Sequence, residues 1–551
     1  MLKKLSRLYH TVKYLKPIQI MGRLQLFIPR WISEQKRSPE LRSISGTFEF
    51  CNKPHTTTDF DHFTFLAETH RLSEIGWEPD NVSRLWSYHL HYFDFMHDRS
   101  DWSDDEKRKI QYLMLRWIDQ NPFGKGTGWE PYPTSLRIIN WVKWHLTIEP
   151  FSGEICLSLW NQLRWLADRP EIHLLGNHLF VNAKAMIIGS IIFDGEESMH
   201  IQKKGLQILN EQLDEQFLND GGHFERSPMY HAIAIEDLLD LYILREQFSM
   251  EFPSEKIKEK IKNGILWLSH MSYQTGEFPH FNDCAQGASP TLDQLLTVAN
   301  HAGIDIPRQK NKMGICHLRD SGFVVVMSDP GKLIADTGDI GPDYQPGHAH
   351  AETLSFEFSL GAQRVIVNSG TSQYGLGPER LRQRSTAAHS TVEVNGMNSS
   401  DVWSGFRVGR RATVHNIQTE HPNIKSPITI SASHDGYRHL SGKNIHHRRW
   451  ELGEKTLTIH DKISGPFDTA VSRLYFHPDF DCQTNENGAI LSHEKLGKVI
   501  LTARSGDKVL PIAILESTYH PAFGVSRINS CAEISLTDKQ EISIELNWTY
   551  H

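Results

Sequence analysis

The sequence predicts a multidomain α+β protein, an N-terminal series of antiparallel helix pairs, open to closure as an (α/α) toroid, followed by a C-terminal antiparallel β-sandwich. Three observations carry this. At 551 residues the chain is too long for one ordinary core. From about residue 60 to 305 its apolar residues recur at helical spacing, and after about 315 they recur in short runs of period two. The expected organisation is a leader over 1–60, the helical toroid over 61–310 and the sandwich over 311–551, with the boundary in "IPRQKNKMG".

The leader, "MLKKLSRLYHTVKYLKPIQIMGRLQLFIPRW", is basic and interrupted. It lacks the continuous apolar core and small-residue cleavage site of a signal peptide, so the expected compartment is cytoplasmic, with a periplasmic location as the alternative. An amphipathic leader of this kind can touch a membrane or another domain. No 18-residue apolar run appears, so no transmembrane segment is expected.

In the second segment, Ile110, Leu113, Leu115, Trp117 and Ile118, then Leu136, Ile138, Ile139, Trp141 and Val142, mark the first of a series of helices of about 15 residues. Similar stretches follow near 154–169, 178–194, 202–217, 230–247, 255–273 and 291–303, which antiparallel pairing in series would pack. In the third, "GFVVVMSD", "TLSFEFSL", "QRVIVNSG", "STVEVNG", "PITISASHDG", "KTLTIHDKISG" and "EISIELNW" read as strands.

A formal charge of -8 argues against a protein that wraps nucleic acid, while leaving room for a local basic cleft facing an acidic polymer. Six cysteines, widely spaced and without a C-x-x-C pair, read as scattered thiols rather than a disulfide framework or zinc knuckle.

Four constellations carry chemistry. In "LLGNHLFVNAKAM", Asn177 and His178 sit at a helix mouth, where Asn177 serves either as an N-cap or as a group facing a cleft. In "GGHFERSPMYHAIAIEDLLDL", Glu225, Arg226, Tyr230 and His231 surround a Ser-Pro helix start, either as core-edge packing or as groups able to shuttle a proton. In "GPDYQPGHAHAETLSFEFSLGAQRVIVNSGTSQYG", His348, His350 and Glu352 stand two apart, so extended chain would turn them to one face together with Leu354, Phe356 and Phe358, and Tyr374 follows. "RLRQRSTAAHSTVEVNG" supplies Arg382, Arg384 and His389 before a strand. His350, Asn368 and His389 could meet across neighbouring strands, and two imidazoles with an oxygen donor suit zinc, although a carboxamide is a poorer ligand than a carboxylate. Lone surface histidines are the alternative. Earlier, "LWSYHLHYFDFMHD" and "WEPYPTSLRIINWVKWH" alternate rings with His89, Trp129 and Arg137, as core stripes or as stacking platforms for sugar rings.

Taken together, "GNHLFVNAKAM", "ERSPMYH", the His348 stretch and "AHSTVEVNG" resemble the heparinase II/III family of polysaccharide lyases, from about residue 80 to the end. The leader and "WEPYPTSLRIINW" look like the subgroup associated with bacterial surface-polysaccharide loci. The resemblance implies an alginate-lyase-like toroid, a heparinase-like sandwich, and β-elimination on a uronate-containing acidic polysaccharide, glycosaminoglycan-like or capsular. It implies that Asn177 and His178 grip the uronate carboxylate, that Tyr230 is base or acid with His348 as its counterpart, and that Arg226 helps Tyr230 ionise. It places Glu225, Arg226, His89, Trp129, Arg137, Tyr374 and Arg384 on the substrate. It also implies one structural zinc at His350, Asn368 and His389, where Asn368 replaces the family's aspartate, and no organic cofactor. The competing readings are a non-catalytic glycan-binding or assembly protein of surface-polysaccharide biosynthesis and a glycoside hydrolase, for which no paired carboxylates stand out.

Overall fold

The structure is a computed structural model that describes all residues except Met1, Pro29, Ser152, Ser249, 308–312, Pro422, Ile424, Lys425, Tyr550 and His551. The expected domain junction at 310/311 lies outside the described residues.

Two leader helices, Leu2–Val12 and Pro17–Gln25, precede irregular chain and a small hairpin, His62–Phe65 with Glu68–Arg71. The helical domain then runs through Arg84–Tyr92, Asp104–Gln120, Pro131–Thr147, Glu154–Asp168, Gly176–Ser190, Glu196–Gln216, Pro228–Ile243, Ser254–Met271 and Leu292–His301. Local signals set several of these ends. Ser103 and Glu106 form a capping box, as do Thr291 and Gln294, each satisfying amides the helix cannot. Helix Gly176–Ser190 is apolar nearly all round, as a helix buried on every side must be, and packs between Pro131–Thr147 and Glu196–Gln216. Its own buried Lys184 bonds Asp237 at 2.6 Å, and Lys143 of the neighbouring helix Pro131–Thr147 bonds Asp240 at 2.5 Å. Lys53, from the incoming chain, bonds Glu236 at 2.7 Å. Such charges tolerate burial because each is paired.

The C-terminal domain is two antiparallel sheets. In one, Val414–Glu420, Ile428–His434, Ile445–Leu452, Thr456–Ser464, Glu541–Trp548, Gly497–Ser505, Gly488–His493 and Asp481–Asn485 lie in that order. In the other the order is Ala513–Tyr519, Arg527–Ser535, Ala470–Phe476, Gln363–Val367, Phe356–Leu360, Gly331–Asp336, Phe323–Met327 and Gly314–Leu318. This second sheet is covered on both faces. Val324 and Val326 enter the core between the sheets, whereas Phe323 and Val325 join the core of the helical domain. That double burial explains the unbroken apolar run "FVVV", where a sheet with one wet face would alternate. Glu357, fully buried on the helical side, ties the layers together by accepting from Tyr273 Oη at 2.8 Å, the His280 amide at 2.9 Å and Arg364 Nη2 at 2.7 Å.

One expectation fails locally. The strand begins only at Phe356, and His348–Leu354 is turns and bends, with Leu354 at φ 61°. The three acid-base residues do not share a pleat. They converge instead on one loop of the helical domain.

Candidate active site

That loop, between the helix ending at Met271 and the helix starting at Leu292, carries Asp283. Asp283 Oδ2 accepts from His348 Nδ1 at 2.9 Å, and Oδ1 accepts from His350 Nε2 at 2.9 Å. Arg380, fully buried, closes on both carboxylate oxygens. Burial alone would push the Asp283 carboxyl up, but Arg380 and the hydrogen bonds from both histidines outweigh it and hold it well below the usual carboxylate range. The consequence for His348 is positional: Nδ1 carries a proton toward Asp283, so in the neutral ring Nε2 presents its lone pair.

Tyr230 faces His348 from the other domain, with ring centroids 4.0 Å apart. Ser227 starts its helix, accepting from the Tyr230 amide at 3.4 Å, and its hydroxyl also donates to the Asp283 carbonyl at 2.7 Å. One residue therefore sets the relation between the Tyr230 helix and the Asp283 loop. The Tyr230 hydroxyl lies 2.8 Å from that of Tyr374. Burial, then Tyr374 and the Asp283 charge, raise the Tyr230 pKa well above 10, so the phenol is a proton donor at neutral pH. The expectation that Arg226 lowers it is corrected. Arg226 points away, donating to the carbonyls of Asp339 and Asp320, and clasps the two domains.

Asn177 and His178 open the helix Gly176–Ser190. Leu175 and Gly176 both take positive φ, 65° and 58°, and a side chain on Gly176 would collide with Gln345. Asn177 is not the N-cap. Its Nδ2 donates to Glu225 Oε2 at 3.1 Å, and its backbone amide donates to Glu225 Oε1 at 3.4 Å. Glu225 thus stands at the helix N-terminus, where a negative group is favoured, and Asn177 keeps one N–H for another acceptor. His178 Nδ1 bonds buried Glu171 at 3.1 Å. Burial alone would lower the His178 pKa, but Glu171 and Glu225 raise it overall, which favours an imidazolium at the helix mouth.

Three other expected substrate contacts, Arg137, Trp129 and Arg384, are corrected by burial. Arg137 is fully buried and donates to Gln162 and to the carbonyls of His91 and Gly128. Trp129 is buried and donates to the Asn121 carbonyl at 3.1 Å. Arg384 is fully buried, holding the carbonyls of Ala349 and Gly405 and so shaping the loop between the two histidines. His89 stacks on Phe65 of the small hairpin. The ring beside the helix mouth is instead Tyr132, 4.5 Å from His178. Asp283, Arg380, Glu171 and Tyr132 were not identified from sequence as site residues.

The residues His350, Glu352 and His389 offer ligand atoms all within 4.8 Å of one another, and they are the group of that kind found among the described residues. Hydrogen bonding leaves this cluster incomplete. His350 Nε2 faces a carboxylate, so Nδ1 holds a lone pair, and His389 Nδ1 faces the Ser385 carbonyl at 2.7 Å, so Nε2 holds one too. These two lone pairs confront each other at 3.1 Å. Glu352 Oε2, 3.3 Å from His389 Nε2, is buried without a hydrogen-bond donor. A metal cation resolves all three at once, and the outward N–H bonds are those that orient metal-bound histidines. By contrast, a second buried pair, His434 and His446, is self-satisfied: the Gly436 amide donates to His434 Nδ1, freeing His434 Nε2 to donate to His446. Asn368 is corrected as a ligand. Its amide group donates to Ser355 at 3.3 Å and accepts from the Ser390 amide at 3.2 Å, and the oxygen that stands beside the two imidazoles is that of Glu352.

A helical domain and a β-sandwich that jointly build a tyrosine–histidine pair define a two-domain protein with a candidate site at the domain junction. The chain belongs to the heparinase II/III-like family: the model described as Heparinase II/III N-terminus matches residues 50–302, and that described as Heparinase II/III-like, C-terminal matches 313–549. Among curated relatives, a heparin-sulfate lyase of Bacteroides stercoris is 24% identical over 432 residues, covering 67% of this chain and 63% of that protein. The chain thus spans less than two thirds of that relative. FtsZ-localized protein C of Caulobacter vibrioides is 24% identical over 413 residues, 72% of this chain and 66% of its own length. The solved structure titled "Crystal Structure of Heparinase III" shares the fold with a TM-score of 0.67 and 17% identity over 86% of this chain and 80% of its own.

Proposed function

We propose that this protein is a polysaccharide lyase that cleaves a uronate-containing acidic polysaccharide, of glycosaminoglycan type, by β-elimination. The observation that carries the reading is the Tyr230–His348 pair, 4.0 Å between ring centroids, with His348 oriented by Asp283. His348 Nε2 is the base that takes the proton alpha to the uronate carboxylate. The Tyr230 phenol is the acid: as the C4–O bond breaks, its electron pair stays on the glycosidic oxygen, which receives the Tyr230 proton, while the C4–C5 double bond forms. The free N–H of Asn177 and the imidazolium of His178 face the carboxylate, where charge accumulates as the proton leaves. The heparin-sulfate lyase relative supports the substrate class.

The cofactor belonging to this reading is one zinc held by His350, Glu352 and His389; bound there it supplies a structural cross-link and charge balance between the His348 loop and the segment before the next strand. The test is direct. Incubation with a panel of uronate glycans should generate the ultraviolet absorbance of unsaturated uronate ends, and new reducing ends without that absorbance would identify a hydrolase instead.

A further inference from the structure

The leader helices are amphipathic the wrong way round. A surface helix normally turns its apolar stripe to the core. In Leu2–Val12 the stripe at i, i+3, i+4 and i+7 is Leu5, Leu8, Tyr9 and Val12, and all four face solvent. The polar side faces the protein: Arg7 Nε donates to Asp401 at 2.9 Å, and Thr11 Oγ1 accepts from Trp403 Nε1 at 3.2 Å. The second helix repeats the inversion. Ile18, Met21 and Leu24 are exposed, whereas Gln19 is buried and donates to the carbonyls of Leu174 and Tyr344, both at 3.3 Å. The chain continues outward through Phe27, 85% exposed, and Trp31, 96% exposed. Polar anchoring inward and apolar presentation outward is a costly arrangement in water alone.

Charge identifies the occupant. Residues 1–33 contain seven lysines and arginines, of which Arg7 and Lys16 pair inward with Asp401 and Glu215, and no aspartate or glutamate, in a chain whose net charge is -8. An apolar stripe with aromatic ends inside an exclusively basic segment matches the interface of an anionic bilayer, where rings and aliphatic chains enter the acyl boundary and cations meet headgroups. We propose that residues 1–31 are a membrane-surface anchor for anionic lipid. The anchor also touches the active site's frame. Trp403, which bonds Thr11, is on the small hairpin Val402–Trp403 with Arg407–Val408, and its turn carries Phe406, 6.2 Å from the His348 ring. Leu174 and Tyr344 lie in the loops leading to Asn177 and His348.

The test is flotation of the full chain with vesicles of phosphatidylcholine mixed with phosphatidylglycerol, and with vesicles of phosphatidylcholine alone. Flotation with the mixed vesicles, reduced without the anionic lipid and by added salt, is expected. A Leu8→Glu, Phe27→Glu, Trp31→Glu triple variant alters only exposed side chains, so it should keep the wild-type melting temperature while its partitioning falls by about tenfold or more. Folded wild type that fails to float, flotation indifferent to the anionic lipid, or equal flotation of the variant would overturn the proposal. So would a dimer, measured by light scattering, that the triple variant dissolves without any vesicle binding, since the face would then join two copies of the chain.

Discussion

Asn177 divides the two roles open to a polar residue at a helix mouth. Were it the cap, its loss would cost about 1 kcal/mol of stability and leave turnover alone. The structure gives the capping place to Glu225, which accepts both the side chain and the backbone amide of Asn177. Asn177→Ala should therefore lower kcat far more than it raises KM, by roughly 2–4 kcal/mol of transition-state stabilisation, with little change in melting temperature. Steady-state kinetics and thermal melts on one preparation check this. His178 gives the pH signature. Its folded pKa is raised, after burial's opposing effect, by Glu171 and Glu225, so its contribution to stability is fully present below the unfolded value of about 6.5 and is lost as pH rises through the raised folded value. The melting-temperature gap between wild type and His178→Gln should be widest below pH about 6.5 and narrow above it. A gap that widens toward alkaline pH would contradict the Glu171 pairing.

At the scale of elements, the proposed zinc site would join two segments that no strand pairing holds together among the described residues, the loop at His350–Glu352 and the stretch ending at His389. Elemental analysis should find about one zinc per chain. The His350→Ala, His389→Ala double variant should lose it and melt at lower temperature, whereas Asn368→Ala should keep the metal, because the Asn368 amide is spent on Ser355 and Ser390. A metal-free wild type that is fully stable would end this assignment. Elements of this kind differ in how far sequence reveals them. Asp104–Gln120 and Leu292–His301 were legible because their apolar residues recur with the helical period, whereas the capping boxes that start them were not read from the sequence. The His348 loop was misread as strand because alternation of residue types mimics a pleat, while Leu354 at positive φ breaks it. Trp129, Arg137 and Arg384 were legible as residues of consequence but not in direction. Their planar or long side chains suit a sugar as well as a buried carbonyl, and only packing decides.

For the whole molecule, the order of a helical domain and a two-sheet domain was readable from the change of period, and the site between them was readable in part. Asp283 was not, since it lies in irregular chain, "FPHFNDCAQG", whose partners His348, His350 and Arg380 are 65 to 97 residues away. Domain docking makes the site: Glu357 receives two helical-domain donors, Arg226 spans to the Asp339 carbonyl, and Tyr230 thereby meets His348. The reaction proposed for this meeting is elimination. The measurement that tests it is the ultraviolet absorbance of unsaturated uronate during digestion of uronate glycans by wild type and by Tyr230→Phe, a change that removes one hydroxyl and leaves the ring on His348. Accumulation of the chromophore by wild type, with a loss on the order of 100-fold or more in the variant at unchanged melting temperature, is the predicted result. Cleavage by wild type without the chromophore, or equal rates from the two proteins, would contradict it.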